Sequence, residues 1–426
     1  MGIAMSRPTR VEMRDQGLRE RMMLLRRVGR MKNLGYLILE YAGIASVVAA
    51  SVVFAEYRAS WGLNWGWNIP VFTLAIILLG GLQHRLAGLG HEASHYTFLN
   101  NKFANDFVAD VFCMFPIMTT LHFYRVFHMA HHQYTNDHER DPDLVNMGRS
   151  KKVDEFPMSR SRFVALYYLR VLVSPLSFLR YQWDYIYVNV FGKGNNVYMS
   201  RVPEGDGATS WPRLGTVLGL GYAFGFNALL WRLTSAGHPR WMIPAGVLGV
   251  AISGLTAYLL PTGAIFQSPF RQPYSARFAS VARLTYYTAL MVGLAWLRHA
   301  TGGRSAVYVA LLWVVPMTTT FMIYMLLRDV YQHANADNGR LTNSRVFFTD
   351  PFTRWAVFVY GQDMHVPHHL YPAIPHYNLR ELHGLLQGSH ADYAEQVVEC
   401  HGTFANGRGK PTILGVLTGP RVVRPD

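Results

Sequence analysis

Six stretches of this chain are close to a bilayer core in length, and that limits the fold more than any other feature. They are Leu34–Ala55, Ile69–Gly90, Leu214–Trp231, Trp241–Leu260, Leu284–Leu297 and Ala306–Leu327, set against the ~20 apolar residues that a spanning helix needs. Leu284–Leu297 is short and is expected to borrow residues from Ala279 onward. Backbone amides cannot stay unpaired in lipid, so such stretches must be helical. The expected fold is all-α: a polytopic membrane helical bundle of about four to six transmembrane helices under a cytosolic, His-rich cap.

Composition agrees. Half the 426 residues are apolar and only 15% are charged, a balance suited to several segments in lipid. The net charge of +14 would suggest nucleic acid in a soluble protein. Here the cations flank apolar runs, so the charge reads as topological, with a membrane and no nucleic acid as partner. Nine of them crowd the arm at residues 1–33, from Arg7 to Lys32. The positive-inside rule puts this arm in the cytoplasm, and no cleaved signal is expected. The two cysteines, Cys113 and Cys400, exclude a disulfide framework and any Cys-x-x-Cys metal site, so a metal would need imidazole.

Read in order, the first two spans bracket an aromatic turn with Trp61, Trp65 and Trp67, and Glu40 is expected at headgroup level. His91 and His95 then emerge on the cytoplasmic side. Only residues 96–127 separate them from His128, too few for two crossings of ~20 residues each. Phe103–Met118, broken by Asp106, Asp110 and Pro116, therefore reads as re-entrant or interfacial, keeping both clusters on one face. Arg162–Phe191, interrupted by Arg170, Arg180 and Asp184, reads as a helix in the interface, and Tyr181–Tyr187 as interfacial packing. Four further crossings return the chain to the cytoplasm. The main domain is expected at residues 34–400, followed by a cytosolic tail at 401–426 that is a cap or partly disordered.

The chemistry lies in the histidines. The pattern H-x-x-H-H stands at His128, His131 and His132, and again at His365, His368 and His369. Random placement of 18 His would give about 0.03 copies, so chance does not account for two. Residues three and four apart share a helix face, so each box aims its imidazoles at one region. With His91 and His95, eight such side chains exceed what one metal can use, and a pair of metals takes them naturally. Imidazole suits iron, zinc, copper or nickel. His333, a turn beyond the last apolar run, is a ninth candidate. Asp106, Asp110, Asp141, Asp143 and Asp363 are placed to accept the outer ring N–H of such ligands. His84, His122, His138 and His376 read as ordinary polar residues.

One motif points elsewhere. His91-Glu92-Ala93-Ser94-His95 is also H-E-x-x-H, the pattern of zinc metalloproteases, in which the Glu activates a metal-bound water. That reading uses only two of the eight boxed histidines.

Together GHEASHYTFLNN, FHMAHHQYTNDHERDPD and HVPHHLYPAIPHYNL resemble the integral-membrane fatty acid desaturase family, over roughly residues 34–386. The resemblance implies a non-haem di-iron centre, two Fe ions held by His91, His95, His128, His131, His132, His365, His368 and His369, with His333 where the family adds a further ligand. It implies O2 as co-substrate and a lipid or fatty acyl substrate. It also implies a separate electron-transfer protein of ferredoxin or cytochrome b5 type, with its reductase, since no cytochrome b5 segment is evident. Fatty acyl desaturation is the first expectation. Hydroxylation or ketolation of a lipid or terpenoid is the alternative, because the Asp141-Pro142-Asp143 that follows the second box also looks like carotenoid ketolases. A bacterial inner membrane is favoured over the endoplasmic reticulum. The helix pair at residues 214–260 departs from the family pattern. Phe103–Met118 and Arg162–Phe191 are expected to line the substrate channel, and Arg149, Lys151 and Lys152 to meet a headgroup, an acidic donor or solvent.

Overall fold

The computed structural model describes residues 16–29, 31–192, 194–199, 212–405 and 409–420. Arg7, Arg10, Arg14 and Arg30 of the basic arm, and residues 406–408 and 421–426 of the tail, lie outside them. The principal helices are α1 (Gln16–Leu25), α2 (Lys32–Tyr57), α3 (Asn68–Ser94), α4 (Lys102–Ala109), α5 (Leu121–Tyr134), α6 (Pro142–Lys151), α7 (Pro175–Tyr185), α8 (Pro212–Ser235), α9 (Met242–Leu259), α10 (Ala276–Ala300), α11 (Thr320–His333), α12 (His365–Leu370), α13 (Leu379–Ser389) and α14 (Ile413–Thr418). The two strands described, Val346–Phe348 and Glu399–His401, pair in parallel.

Among the described residues five helices are long and apolar enough to cross a bilayer: Lys32–Tyr57, Trp65–Ser94, Pro239–Leu259, Ala276–Ala300 and Arg304–His333. The protein is a helical membrane bundle, as expected. The short run at Leu284 does borrow residues upstream, giving a helix of 25 residues. The helix over Leu214–Trp231 forms as α8 but is not among the five. On α9, Ile243, Val247, Leu248, Ile252, Leu255 and Leu259 are exposed. In water so much bare apolar surface would be costly, and in hydrocarbon it is the natural face.

The re-entrant expectation has a structural counterpart. Helix α4 runs into a π-helical stretch and a 3-10 turn at Phe115–Ile117, and the chain then bends by 87° into α5. Asp110 stabilises the corner by accepting hydrogen bonds from the Leu121 amide (2.7 Å) and the Tyr274 hydroxyl (2.8 Å).

The core gathers where α3 and α11 cross. Leu79, Leu82, Leu86, Leu89 and Ala93 line the buried face of α3, at helical spacing. A Cβ on Gly80 would overlap the Thr320 side chain and come within 2.8 Å of the Phe321 amide nitrogen, so this crossing depends on a small residue. Glu40 is buried within the protein. Arg85 neutralises it at 2.8 Å and Tyr360 donates to it. The trio ties α2 and α3 to the segment before the third box. The described tail also belongs to the core, since Ile413, Leu414 and Leu417 are buried. Asn335 donates to the carbonyls of Val416 (2.8 Å) and Gly419 (3.1 Å).

Candidate metal centre

Three helix ends and one loop helix carry the nine histidines. His91 lies in the last turn of α3 and His95 is its C-cap residue. The second box occupies α5, the third forms α12, and His333 ends α11. Gly361 sets the approach to α12 with φ +73°, where a Cβ would stand 2.9 Å from the His376 carbonyl oxygen. The helix begins at His365, as Pro367 suggests, because proline tolerates the first turn of a helix.

The nine rings fall into two groups. His91, His95, His128, His132 and His368 form one; His131, His333, His365 and His369 form the other. In each group one ring nitrogen per residue lies within 4.8 Å of all the rest. The box spacing explains the division. On α5 the i,i+4 pair His128 and His132 joins the first group and His131 the second. On α12 the i,i+4 pair His365 and His369 joins the second group and His368 the first. Each box therefore serves both groups.

Nε2 atoms approach at 2.9 Å for His95–His128, His128–His132 and His333–His365, and at 3.1 Å for His132–His368 and His365–His369. With metal–nitrogen bonds of ~2.0–2.1 Å, ligands at right angles sit ~3 Å apart. Neighbouring imidazole nitrogens in each group are thus spaced like the edges of a coordination polyhedron. Burial, and then the neighbouring imidazoles, hold His95, His365, His368 and His369 well below the ordinary imidazole range. They are thereby kept neutral, as a metal ligand must be. The donor set suits a pair of divalent transition metals.

The outer ring nitrogens are held unequally. His131 Nδ1 lies 3.1 Å from both Asp141 carboxylate oxygens and 3.5 Å from Asp143. His333 Nδ1 meets the Asn343 carbonyl at 3.0 Å, and His369 Nδ1 the Thr135 hydroxyl at 3.2 Å. Asp141 also caps α6 through the Asp143 amide.

Three carboxylates do not take the role expected of them, because cations or other donors claim them first. Asp106 pairs with Arg125 at 2.6 Å and faces His122 at 3.4 Å. Asp110 holds the corner already described. Asp363 sits between Arg354 (3.0 Å) and Arg380 (3.3 Å).

Glu92 is also committed. Its Oε2 accepts from the Thr97 hydroxyl (2.9 Å) and the His376 amide (3.0 Å), an arrangement that binds box one to the chain after box three. Its Oε1 stands 3.7 Å from His91. His91 and His95 belong to a five-histidine group. His84 bonds the Ala356 carbonyl and His376 the Asn33 side chain, as ordinary polar residues. His138 is exposed near Asp154.

A narrow cavity opens against both groups, with His91, His128, His131, His333 and His365 in its wall. Tyr181, Tyr185 and Asn189 line it from the Arg162–Phe191 stretch, so Tyr181 and Tyr185 are not the interfacial packing expected of them. No residue of Phe103–Met118 is in this wall. Lys151, expected at a surface, is buried in the wall and bridges Asp143 (3.2 Å) and Asp329 (2.8 Å). Sequence reading missed Arg328, Asp329, Gln332 and Gln362. Gln332 donates to Gln362, whose amide lies 3.2 Å from His91. Arg328 and Asp329 had one available signal, two charges near the end of an apolar span.

Comparison with known proteins agrees with this geometry. The family model described as Fatty acid desaturase matches residues 66–259 and 254–402. Dihydrorhizobitoxine desaturase of Bradyrhizobium elkanii is 29% identical over 149 residues, 35% of this chain and 39% of that protein. The match thus spans about two fifths of that relative's length.

Proposed function

Since this chain belongs to the fatty acid desaturase family, we propose that it is an O2-dependent membrane desaturase whose nine histidines hold two iron ions. The observation that carries the reading is the division of the boxed histidines, with His333, into two adjacent groups of converging imidazoles. Bound iron would supply the oxidising power needed to break an unactivated C–H bond. The chain's own part is to fix the ligands, exclude water and position the substrate in the cavity beside them. Desaturation removes two hydrogens from adjacent carbons. It consumes one O2, two electrons and two protons and releases two waters, so a reducing partner of ferredoxin or cytochrome b5 type is required. The histidines would face the cytoplasm, and a bacterial inner membrane fits the reading better than the endoplasmic reticulum.

The Asp141-Pro142-Asp143 sequence does not favour ketolation. Its carboxylates have work independent of the product: Asp141 orients His131 and caps α6, and Asp143 pairs Lys151. The protein, expressed in membranes with a matching reductase, should convert its substrate to a product two hydrogens lighter by mass spectrometry. A product one oxygen heavier would replace desaturation by hydroxylation.

A further inference from the structure

The cavity beside the histidines has a mixed wall. Phe127, Met147, Met325 and the rings of Tyr124, Tyr181 and Tyr185 supply apolar surface, and Asp143, Lys151, Arg328, Asp329, Gln332 and Gln362 stand among them. Methylene groups can lie against the apolar part, but the charged groups call for a polar partner.

The charges are not equally satisfied. Lys151 bridges both carboxylates, Asp143 and Asp329. Arg328 lies within ion-pair distance of neither, makes no hydrogen bond among the described residues, and its Nε is buried without a partner. The hydroxyls of Tyr124, Tyr181 and Tyr185, in the same wall, also make no hydrogen bond within the described residues. A planar guanidinium with unused donors and several free hydroxyls can receive a planar anion. Lys151 and Arg328 together balance Asp143 and Asp329 in charge, so a dianion such as phosphate is disfavoured, while a monoanion can take the guanidinium donors that no protein group uses.

We propose that Arg328 is the substrate's anchor and that the substrate is a free carboxylic acid, held by its carboxylate in the cavity that also exposes the histidines. The carbons oxidised are then only a few bonds from that carboxylate. A carboxylate would use the guanidinium donors of Arg328, which a neutral ester lipid would leave unmet. This rests on the desaturase reading for the role of the site, but the binding it requires is measurable without turnover.

The test is calorimetric titration of the full chain in lipid nanodiscs with hexanoate and with hexanamide, which match in size and differ in charge. Hexanoate should bind about 10–100-fold tighter than hexanamide, as expected for a charge-assisted pair. Arg328→Gln should bring that ratio to about one while hexanamide binding stays within about twofold. Tyr185→Phe, which changes no charge, should lower hexanoate affinity by about threefold. Three results would each overturn the proposal: no preference for hexanoate in the parent protein, binding of neither probe included; a ratio unchanged by Arg328→Gln in a folded variant; or displacement of hexanoate by equimolar inorganic phosphate. If hexanoate binds through Arg328 but no product ever forms, the desaturase reading fails and the carboxylate site stands.

Discussion

The two histidine groups are alike in ligand type and unlike in support. Of the four residues His131, His333, His365 and His369, three have the outer ring nitrogen against a fixed acceptor or hydroxyl: Asp141, the Asn343 carbonyl and Thr135. Of the five residues His91, His95, His128, His132 and His368, only His91 has side-chain partners outside the cluster among the described residues, the Gln362 amide at 3.2 Å and, farther off, the Glu92 carboxylate at 3.7 Å. The outer nitrogens of His132 and His368 are buried without one. A ligand oriented by a carboxylate is more basic and less free to turn. The four-histidine group should therefore bind its metal tightly with no ligand to spare. The five-histidine group has one donor more but looser rings. The two sites should differ in how they fail.

That contrast can be broken in order of effect. His333→Ala leaves three imidazoles in the smaller group, and metal analysis of the purified variant should find about one ion per chain where the parent holds about two. Asp141→Asn keeps every ligand but removes the carboxylate behind His131. Competition with a chelator should show about 10–100-fold weaker binding of one ion and no change in the other. His132→Ala leaves four imidazoles in the larger group, so both ions should remain, one of them held about tenfold more weakly. Thr135→Val removes only the hydroxyl that meets His369. It should cost about 1 kcal/mol or less of affinity at the four-histidine site, a few-fold shift in the same assay. Equal losses from His333→Ala and His132→Ala would erase the distinction between the groups.

Much of this centre was legible in the sequence, and the reason is geometric. Helical spacing puts the histidines of a box on one side of its helix, and eight of them called for two metals; that each box divides between both groups was not legible, because it depends on which rings the other helices bring opposite. His333 was legible from its place one turn past an apolar run. The carboxylates were not. Asp141 and Asp106 look equivalent in sequence, yet Asp106 is claimed by Arg125, which also donates to the Ala93 and Ser94 carbonyls beside box one. Which cation reaches a carboxylate depends on contacts across the fold, and no local pattern records it. Lys151 was misread for the same reason: its partner Asp329 is 178 positions away along the chain. The apolar runs forecast the spanning helices well because length against bilayer thickness is a local property. Gly80 at the α3–α11 crossing was invisible until the partner helix was in place.

The central claim is that the nine histidines make two metal sites, and counting metal tests it most directly. The full chain, purified from cells grown without metal supplementation beyond the medium, should carry about two iron ions by plasma mass spectrometry. A single zinc per chain, unaffected by His333→Ala, would contradict the account.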